Sequence, residues 1–554
     1  MKYSKIIAAV CAVLMLTSCT ATAGGNNGSG DSASQNQNSA TQSQTEKSEE
    51  SKAELDYSNL CMQRVSIQTV SNDPNAIDFA TVPVAGFVSE MIASYTPGYK
   101  IPAEPYYEAC TVTLRDPDGS VIIDGAPADV KVRGNWTTTY DKKPLRIKFN
   151  EKQSMKGLND DNAMRNWVLL AEYKDASMLR NKTALSISRE IFEKDGLYAS
   201  DAELVEVDIN GEYFGVYLLA EQQQINENRV NIFDAPKDYT GTDIGYLLEF
   251  DGAYYAKDDM QTFVPDYADN APLESFNGDE KGKKIQCQPK DDNDYKGETG
   301  IVIKSKINTK EQKAFIKNFV NNTYRIMYEA SYNNKAFVFN DDFSNITEDA
   351  SITPEEAVRR VVDVDSLADM YIISELTCDA DIYFASFYMD ADFSAEGDKK
   401  LRFEAPWDFD SAMGNKDRCA DGTGFYAASI VPDVNSPAKV DPSVYEWGFE
   451  TINPWLAVLM KQSWYLDIIR EKWTAAYDDG VFDRGLKLIE NDKVEYKTAF
   501  ENNYKKWNNL GKGTDFAHEL TQRALSCKNE EEAADYLHEW LESRVKFLND
   551  YWHK

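Results

Sequence analysis

The 554-residue chain predicts an α+β fold in two lobes, a strand-rich first half with one inserted helix and a mainly helical second half. Two observations carry this. Residues 204–209 and 213–219 are apolar-patterned runs around Asn210-Gly211, the strongest short hairpin signal a sequence offers. From Pro454 onward the apolar residues instead recur at helical spacing, best where Leu537, Trp540, Leu541, Val545 and Leu548 form one stripe. A cleft between two such lobes is the expected place for a site.

Composition narrows the partners. With 59 basic and 92 acidic side chains the formal charge is −33, which argues against nucleic acid or an anionic membrane surface as a general partner. At 42% hydrophobic the chain can bury a large core.

Residues 1–19 read as a targeting segment. Lys2 and Lys5 precede an apolar run over 6–16, and Leu16-Thr17-Ser18-Cys19 ends like a bacterial lipobox, with Cys19 as the lipidated residue. An ordinary cleaved signal with an incidental Cys is the alternative. Residues 20–55 are Ser, Gln, Asn, Gly and Thr with almost no apolar side chain, the composition of a disordered polar tether. Lipid anchor, tether and globular body together describe an extracytoplasmic, cell-surface protein that meets the membrane only through its lipid.

The strand-rich body spans 56–250. Thr111-Val112-Thr113-Leu114, a turn at Asp116-Pro117-Asp118-Gly119, and Val121-Ile122-Ile123 make a hairpin signature. Strands follow at 130–136 and 142–149. In the second, alternation sets Leu145, Ile147 and Phe149 on one face and Arg146 and Lys148 on the other. Between Lys131 and Lys156 eight Lys or Arg face two acids, Asp141 and Glu151. Such an island in an acidic chain points to a bound anion; an exposed strand face with solvated charges is the alternative. Residues 167–171 form a buried strand, and Asp175 or Ser177 can cap a helix over 178–193. Its Arg180 and Asn181 face either solvent or the basic strand.

After a strand at 245–250, residues 251–300 are rich in Asp, Lys and Gly and read as a polar insertion or mobile loop. The helical half, 301–554, holds a short strand at 301–304 and helices over 309–332 and 365–377, the latter burying Leu367, Tyr371, Ile372 and Leu376. Cys61, Cys110, Cys287, Cys378, Cys419 and Cys527 are widely spaced without a CxxC pair, so neither a zinc site nor a disulfide framework is signalled. His518, His538 and His553 all lie near the C-terminus, which disfavours Ser-His, Cys-His or histidine-metal chemistry.

Acids set among aromatics carry the functional signal. Residues 375–414 pass through Cys378-Asp379-Ala380-Asp381 and Ser386-Phe387-Tyr388-Met389, then close on Pro406-Trp407-Asp408-Phe409-Asp410. A carboxylate near a core needs a hydrogen-bond network, a Lys or Arg, or a metal ion. A solvated surface Asp is the alternative for any one of them. Asp381 and Ser386 are five residues apart, the distance in a kinase catalytic loop between the base Asp and a metal-binding Asn.

Further motifs make the resemblance specific. Arg133-Gly134-Asn135, Lys142-Lys143-Pro144-Leu145-Arg146-Ile147-Lys148-Phe149, Trp167-Val168-Leu169-Leu170-Ala171 and Leu179-Arg180-Asn181 come first. Asn210-Gly211-Glu212-Tyr213-Phe214-Gly215-Val216-Tyr217, Asp365-Ser366, Glu375-Leu376, Asp381 and Pro406-Trp407-Asp408-Phe409-Asp410 follow. In this order, from about Val130 to the C-terminus, the sequence resembles the spore-coat CotH family of atypical, secreted protein kinases.

The resemblance implies a protein-kinase-like fold, ATP with Mg²⁺ or Mn²⁺ as cofactors, and phosphate transfer to Ser or Thr of exported or surface proteins. Asp381 would orient and deprotonate the acceptor hydroxyl. Asp408 would hold Mg²⁺, with Asp410 and Ser386 as further metal candidates. Arg133, Lys143, Arg146 and Lys148 would meet the nucleotide phosphates, and the strand ending at Glu221 would lead to the adenine-binding hinge. The chain departs from ordinary kinases in lacking a glycine-rich phosphate loop, a His-Arg-Asp triplet and an Asp-Phe-Gly. Within the family pattern Asn is frequent where Ser386 stands and often found where Asp379 stands. A reading from a different class is an inactive, kinase-like surface module that binds glycans or partner proteins.

Overall fold

The computed structural model describes Tyr57 and residues 60–554, except 85, 104–105, 253–256, 277–283, 288–298, 417–420, 431–450, 512 and 515. Cys19, the targeting segment, the tether and Cys419 therefore lie outside the described residues.

Seven strands close into a barrel: β1 (Gln63–Thr69), β2 (Glu108–Arg115), β3 (Val121–Val132), β4 (Leu145–Gln153), β5 (Met164–Leu170), β6 (Ala202–Ile209) and β7 (Glu212–Glu221), in the order β1-β2-β3-β4-β5-β7-β6. Neighbours are antiparallel except β1 and β6, whose parallel pairing closes the ring. The expected strands are present with different bounds: β3 joins 121–123 and 130–132 in one strand, Trp136–Thr139 is a helical turn, and β4 starts at Leu145; closure is a finding that local pattern does not encode. Val130, Val132, Leu145, Ile147 and Phe149 fill the interior, and the register sets Lys131 beside Arg146 and Asp129 beside Lys148 on the other face. At the β6–β7 turn Asn210 and Gly211 both hold positive φ, 51° and 75°, as a two-residue hairpin of this twist requires. The Asn210 side chain also accepts from the Thr69 backbone and hydroxyl, tying the hairpin to β1.

A second sheet breaks the simple division of strands first and helices second. It joins β8 (Gly245–Asp251), β9 (Thr262–Phe263), β10 (Gly300–Ile303) and β11 (Phe387–Asp392) in the order β11-β8-β10-β9. The chain has a strand-rich N-terminal region and a helical C-terminal region, but β11 places a strand deep in the helical half. The reason is local: Phe387-Tyr388-Met389 is an apolar run buried on both faces, which a solvated loop cannot supply. Within 251–300 the described residues include buried Phe263, Tyr267, Leu273 and Ile285.

The principal helices are α1 (Arg180–Phe192), α2 (Lys310–Asn333), α3 (Val364–Thr377), α4 (Ser463–Asp478), α5 (Val481–Glu495), α6 (Lys497–Lys506) and α7 (Glu530–Trp552). Helix α1 packs on β6, α3 and α5, and α6 packs on β7. That cover explains why β6 and β7 are buried almost throughout rather than on alternate residues. Helix α2 begins with a capping box, Thr309 and Gln312 satisfying each other's backbone. No helix among the described residues is long and apolar enough to cross a membrane. Cys61, Cys110, Cys287, Cys378 and Cys527 are free thiols.

Candidate active site

Three chain segments meet around the acids. The first is the connection from β5 to α1. Asp175 accepts from the Leu179 and Arg180 amides at 3.1 and 2.9 Å, so it caps the start of α1, as one of the two expected residues. Arg180 and Asn181 face neither solvent nor the basic strand; both are buried. Arg180 pairs with Asp175 and donates to the Met413 carbonyl at 3.3 Å. Asn181 donates to the Glu172 carboxylate at 2.9 Å and accepts from the Phe409 amide at 2.7 Å. One side chain thus links the β5–α1 connection to the Asp408–Asp410 turn.

The second segment leaves α3. The helix ends at Cys378 with φ 50°, and the Asp379 carboxylate accepts from the Asp381 amide at 3.0 Å, shaping a short turn over Asp381–Tyr383. The third is the turn at Asp408–Ser411. The Met413 amide donates to the Thr377 carbonyl at 2.7 Å, fastening it to the end of α3. Ser386 donates to Asp408 at 3.4 Å.

Non-glycine residues with positive φ gather here: Glu172, Met178, Cys378, Ser386, Ala405, Asp408 and Met413. Each such backbone costs of order 1–3 kcal/mol and persists only where the surroundings dictate it. Their concentration around one group of acids singles this region out as the candidate site.

The electrostatics agree. Burial, with the neighbouring Asp410 and Asp381 carboxylates, pushes the Asp408 carboxyl up to about 7 against the pull of Arg133 and Lys174. Burial also raises Asp381, with Lys174 and Lys416 pulling the other way. Asp379 is lifted well above the carboxylate range by burial and by Asp381, and Glu172 by burial, Asp175 and Asp410. Burial works against the Lys174 ammonium, but Asp410, Tyr140, Glu519 and Asp381 outweigh it and hold the amine well above its ordinary value. Acids outnumber the cations here, and several of the carboxyls therefore hold their protons more tightly than usual.

Donor chemistry fits a hard divalent ion at Asp408. The carboxylate and the Ser386 hydroxyl are oxygen donors, and the charge crowding on Asp408 is what a cation relieves. Among the described residues no group of three or more His, Cys, Asp or Glu is arranged to hold a metal. Mg²⁺ is commonly held by one or two carboxylates completed by substrate phosphates and water, so two protein donors suffice.

The family profile described as CotH kinase protein matches residues 130–548. The chain belongs to the CotH kinase family. It is also 33% identical over 93 residues to the inner spore coat protein H of Bacillus subtilis (strain 168). That stretch spans 17% of this chain and 23% of the Bacillus protein.

In this family member the expected phosphate-facing residues separate. Arg133 lies beside the acids, 5.9 Å from the Trp407 ring and close enough to Asp408 to lower its pKa. Lys143 is buried, donating to the Thr138 and Tyr140 carbonyls at 2.9 and 2.6 Å, so its ammonium organises its own loop. Glu221 is buried against Arg229 at 2.9 Å and accepts from the Asp201 amide. Arg146 is half-buried and donates to Asn166 at 2.8 Å, while Lys148 is exposed.

Sequence reasoning passed over Glu172, Lys174 and Glu519, and it named Asn181 without foreseeing its bonds to Glu172 and Phe409. Lys174 is buried, 3.3 Å from Asp410 and 3.8 Å from Glu519, with Ser411 at 2.5 Å. A signal was there: Glu172-Tyr173-Lys174-Asp175 packs three charges between a fully apolar strand and a helix cap. Glu519, 3.6 Å from Lys416 and bonded by Tyr140 at 3.0 Å, arrives from the far C-terminal region and had none.

Proposed function

We propose that this chain is a kinase-like enzyme of two lobes that transfers the γ-phosphate of ATP, with Mg²⁺ or Mn²⁺, to Ser or Thr of exported or surface proteins. The observation that carries the reading is the Ser386–Asp408 contact placed beside Asp381, three oxygen-bearing side chains five residues and one chain reversal apart. Asp381 is half-buried and its backbone is fixed by Asp379, which suits it to accept a hydroxyl proton and aim the oxygen. Asp408 and Ser386 are the residues to hold the metal. The metal, when bound, supplies charge neutralisation for the phosphates. Arg133 adds a guanidinium near Asp408, suited to bidentate phosphate contact. Asp410 and Asp381 crowd Asp408 more than Arg133 and Lys174 relieve it, so a divalent ion there is electrostatically favoured.

The spore-coat name of the Bacillus relative and the lipobox-like N-terminus support a location at the cell surface, with the chain held by lipid on Cys19. The test is incubation of the purified chain with γ-labelled ATP and Mg²⁺ or Mn²⁺, with itself and mixed exported proteins as acceptors. Label on Ser or Thr that vanishes on chelation supports the reading. Absence of both nucleotide binding and labelled product, with retained glycan or protein binding, would favour the non-catalytic surface module.

A further inference from the structure

Asp408 and Asp410 lie two residues apart in one turn, yet the structure treats them differently. Asp408 is half-buried, touches the Ser386 hydroxyl at 3.4 Å, and has no ion-pair partner among the described residues. Asp410 is 8% exposed and already carries a cation, Lys174, with Nζ 3.3 Å from its Oδ1. The Ser411 hydroxyl donates to the same oxygen at 3.2 Å.

Lys174 is not a wandering surface amine. It is 6% exposed, with its Nζ 2.5 Å from the Ser411 hydroxyl and 3.8 Å from Glu519. The two backbones are clamped as well. Asn415 Nδ2 donates to the Lys174 carbonyl at 3.1 Å and to the Asp410 carbonyl at 2.7 Å. The ammonium thus already supplies Asp410 with the positive charge that a second metal ion would bring, and a dication beside the same carboxylate would be repelled by it.

We infer that Lys174 is a built-in cation that occupies the Asp410 carboxylate, so that this site takes one divalent ion, at Asp408, rather than two. The inference rests on the metal-dependent phosphoryl-transfer reading but concerns the metal count alone. Lys174 is a positioning residue in this scheme, acting through Asp410.

The experiment is Mn²⁺ titration of the full chain in the presence of a non-hydrolysable ATP analogue, followed by calorimetry and by electron paramagnetic resonance. Wild type is expected to bind one Mn²⁺ per chain, with no Mn–Mn dipolar signal. Asp410→Asn should keep the count at one, because Asp410 is not the metal's ligand; loss of Mn²⁺ binding in that variant overturns the inference. Lys174→Met should raise the count to two, and Lys174→Arg should return it to one. Two ions in wild type, or a count of one in a folded Lys174→Met chain, would also overturn it. If Lys174→Met does not fold, wild type and Asp410→Asn still decide. No Mn²⁺ bound by wild type at all overturns the phosphoryl-transfer reading and this inference with it, an outcome distinct from finding two.

Discussion

Ser386 donates to Asp408 across 3.4 Å from a backbone that, like its partner's, sits in the left-handed region, with φ of 57° and 71°. Two strained residues in contact imply that the surrounding structure fixes both. Asp408 is followed by Phe409, whose amide is held by Asn181, and Ser386 leads directly into β11. The strain is therefore maintained by the barrel-side helix and the second sheet together, and the contact reports on how those parts meet.

Replacing Ser386 with Asn should relieve part of that strain, because Asn tolerates left-handed φ better than Ser and offers an amide oxygen to a metal. A Tm rise of about 1–3 °C is expected, with tighter Mg²⁺-dependent ATP binding. Ser386→Thr, β-branched, should move the melt the other way. Differential scanning calorimetry on the two variants decides; a lower Tm for the Asn variant would contradict the argument.

Asp381 and Asp408 should fail differently. Asp408→Asn removes the charge that balances a divalent ion, so metal-dependent nucleotide affinity should be lost. Asp381→Asn should still bind Mg-ATP yet transfer phosphate roughly 10²–10⁴-fold more slowly. Calorimetric titration beside single-turnover transfer separates them. Wild-type behaviour in both variants would make the two acids structural.

The raised carboxyl of Asp408 gives a pH dependence with a fixed sign. Its folded value, about 7, lies above the ordinary aspartate value near 4, so the folded chain holds a proton the unfolded chain releases. The stability from this group is full below about pH 4 and is lost as pH rises through about 7. The metal requires the opposite, the deprotonated form. Without Mg²⁺ the chain should melt lower at pH 8 than at pH 5.5, and added Mg²⁺ should stabilise it at pH 8 but hardly at pH 5.5. Asp408→Asn should flatten both trends in a melting series. An Mg²⁺ effect of equal size at the two pH values would be inconsistent with this assignment.

Much of this was legible because it is local. The Asn210-Gly211 hairpin, the alternation of Leu145, Ile147 and Phe149, the cap at Asp175 and the stripe along α7 are each written within a few residues. Asp381 and Asp408 were legible as candidates because acids beside aromatics are costly without a purpose, and Ser386 because of its five-residue spacing from Asp381; the structure brings Ser386 and Asp408 into contact. Barrel closure was not, since the β1–β6 pairing joins residues about 140 apart with no local mark. Nor was the fate of Lys143: its charge in sequence looks like that of Arg133, and only the carbonyls of Thr138 and Tyr140 reveal that it is already engaged. Lys174 and Glu519 meet across more than 300 residues, which no spacing argument reaches.

Glu375 lies one turn of chain before Asp379 and is fully buried against Arg544 at 2.5 Å. Arg544 also donates to the Glu375 carbonyl at 2.6 Å and to the Gly424 and Gly422 carbonyls at 2.5 and 3.3 Å. Glu375 in turn accepts from the Tyr426 and Ala427 amides and the Tyr371 hydroxyl. The pair joins α7 to α3, the helix that delivers the chain to Asp381, and ties residues 422–427 to both. Arg544→Met should cost about 3–5 kcal/mol, since it leaves a buried carboxylate without its cation. A buried ion pair alone can often be exchanged for two apolar residues with little loss. Here that rescue should fail. Arg544→Met combined with Glu375→Leu would orphan the carbonyls of Gly422 and Gly424 and the amides of Tyr426 and Ala427, at about 1–3 kcal/mol for each group left unmet. Urea unfolding of the wild type, the single variant and the double variant gives the comparison. A double variant as stable as wild type would mean that the pair is an ion pair only, with residues 422–427 held by other contacts.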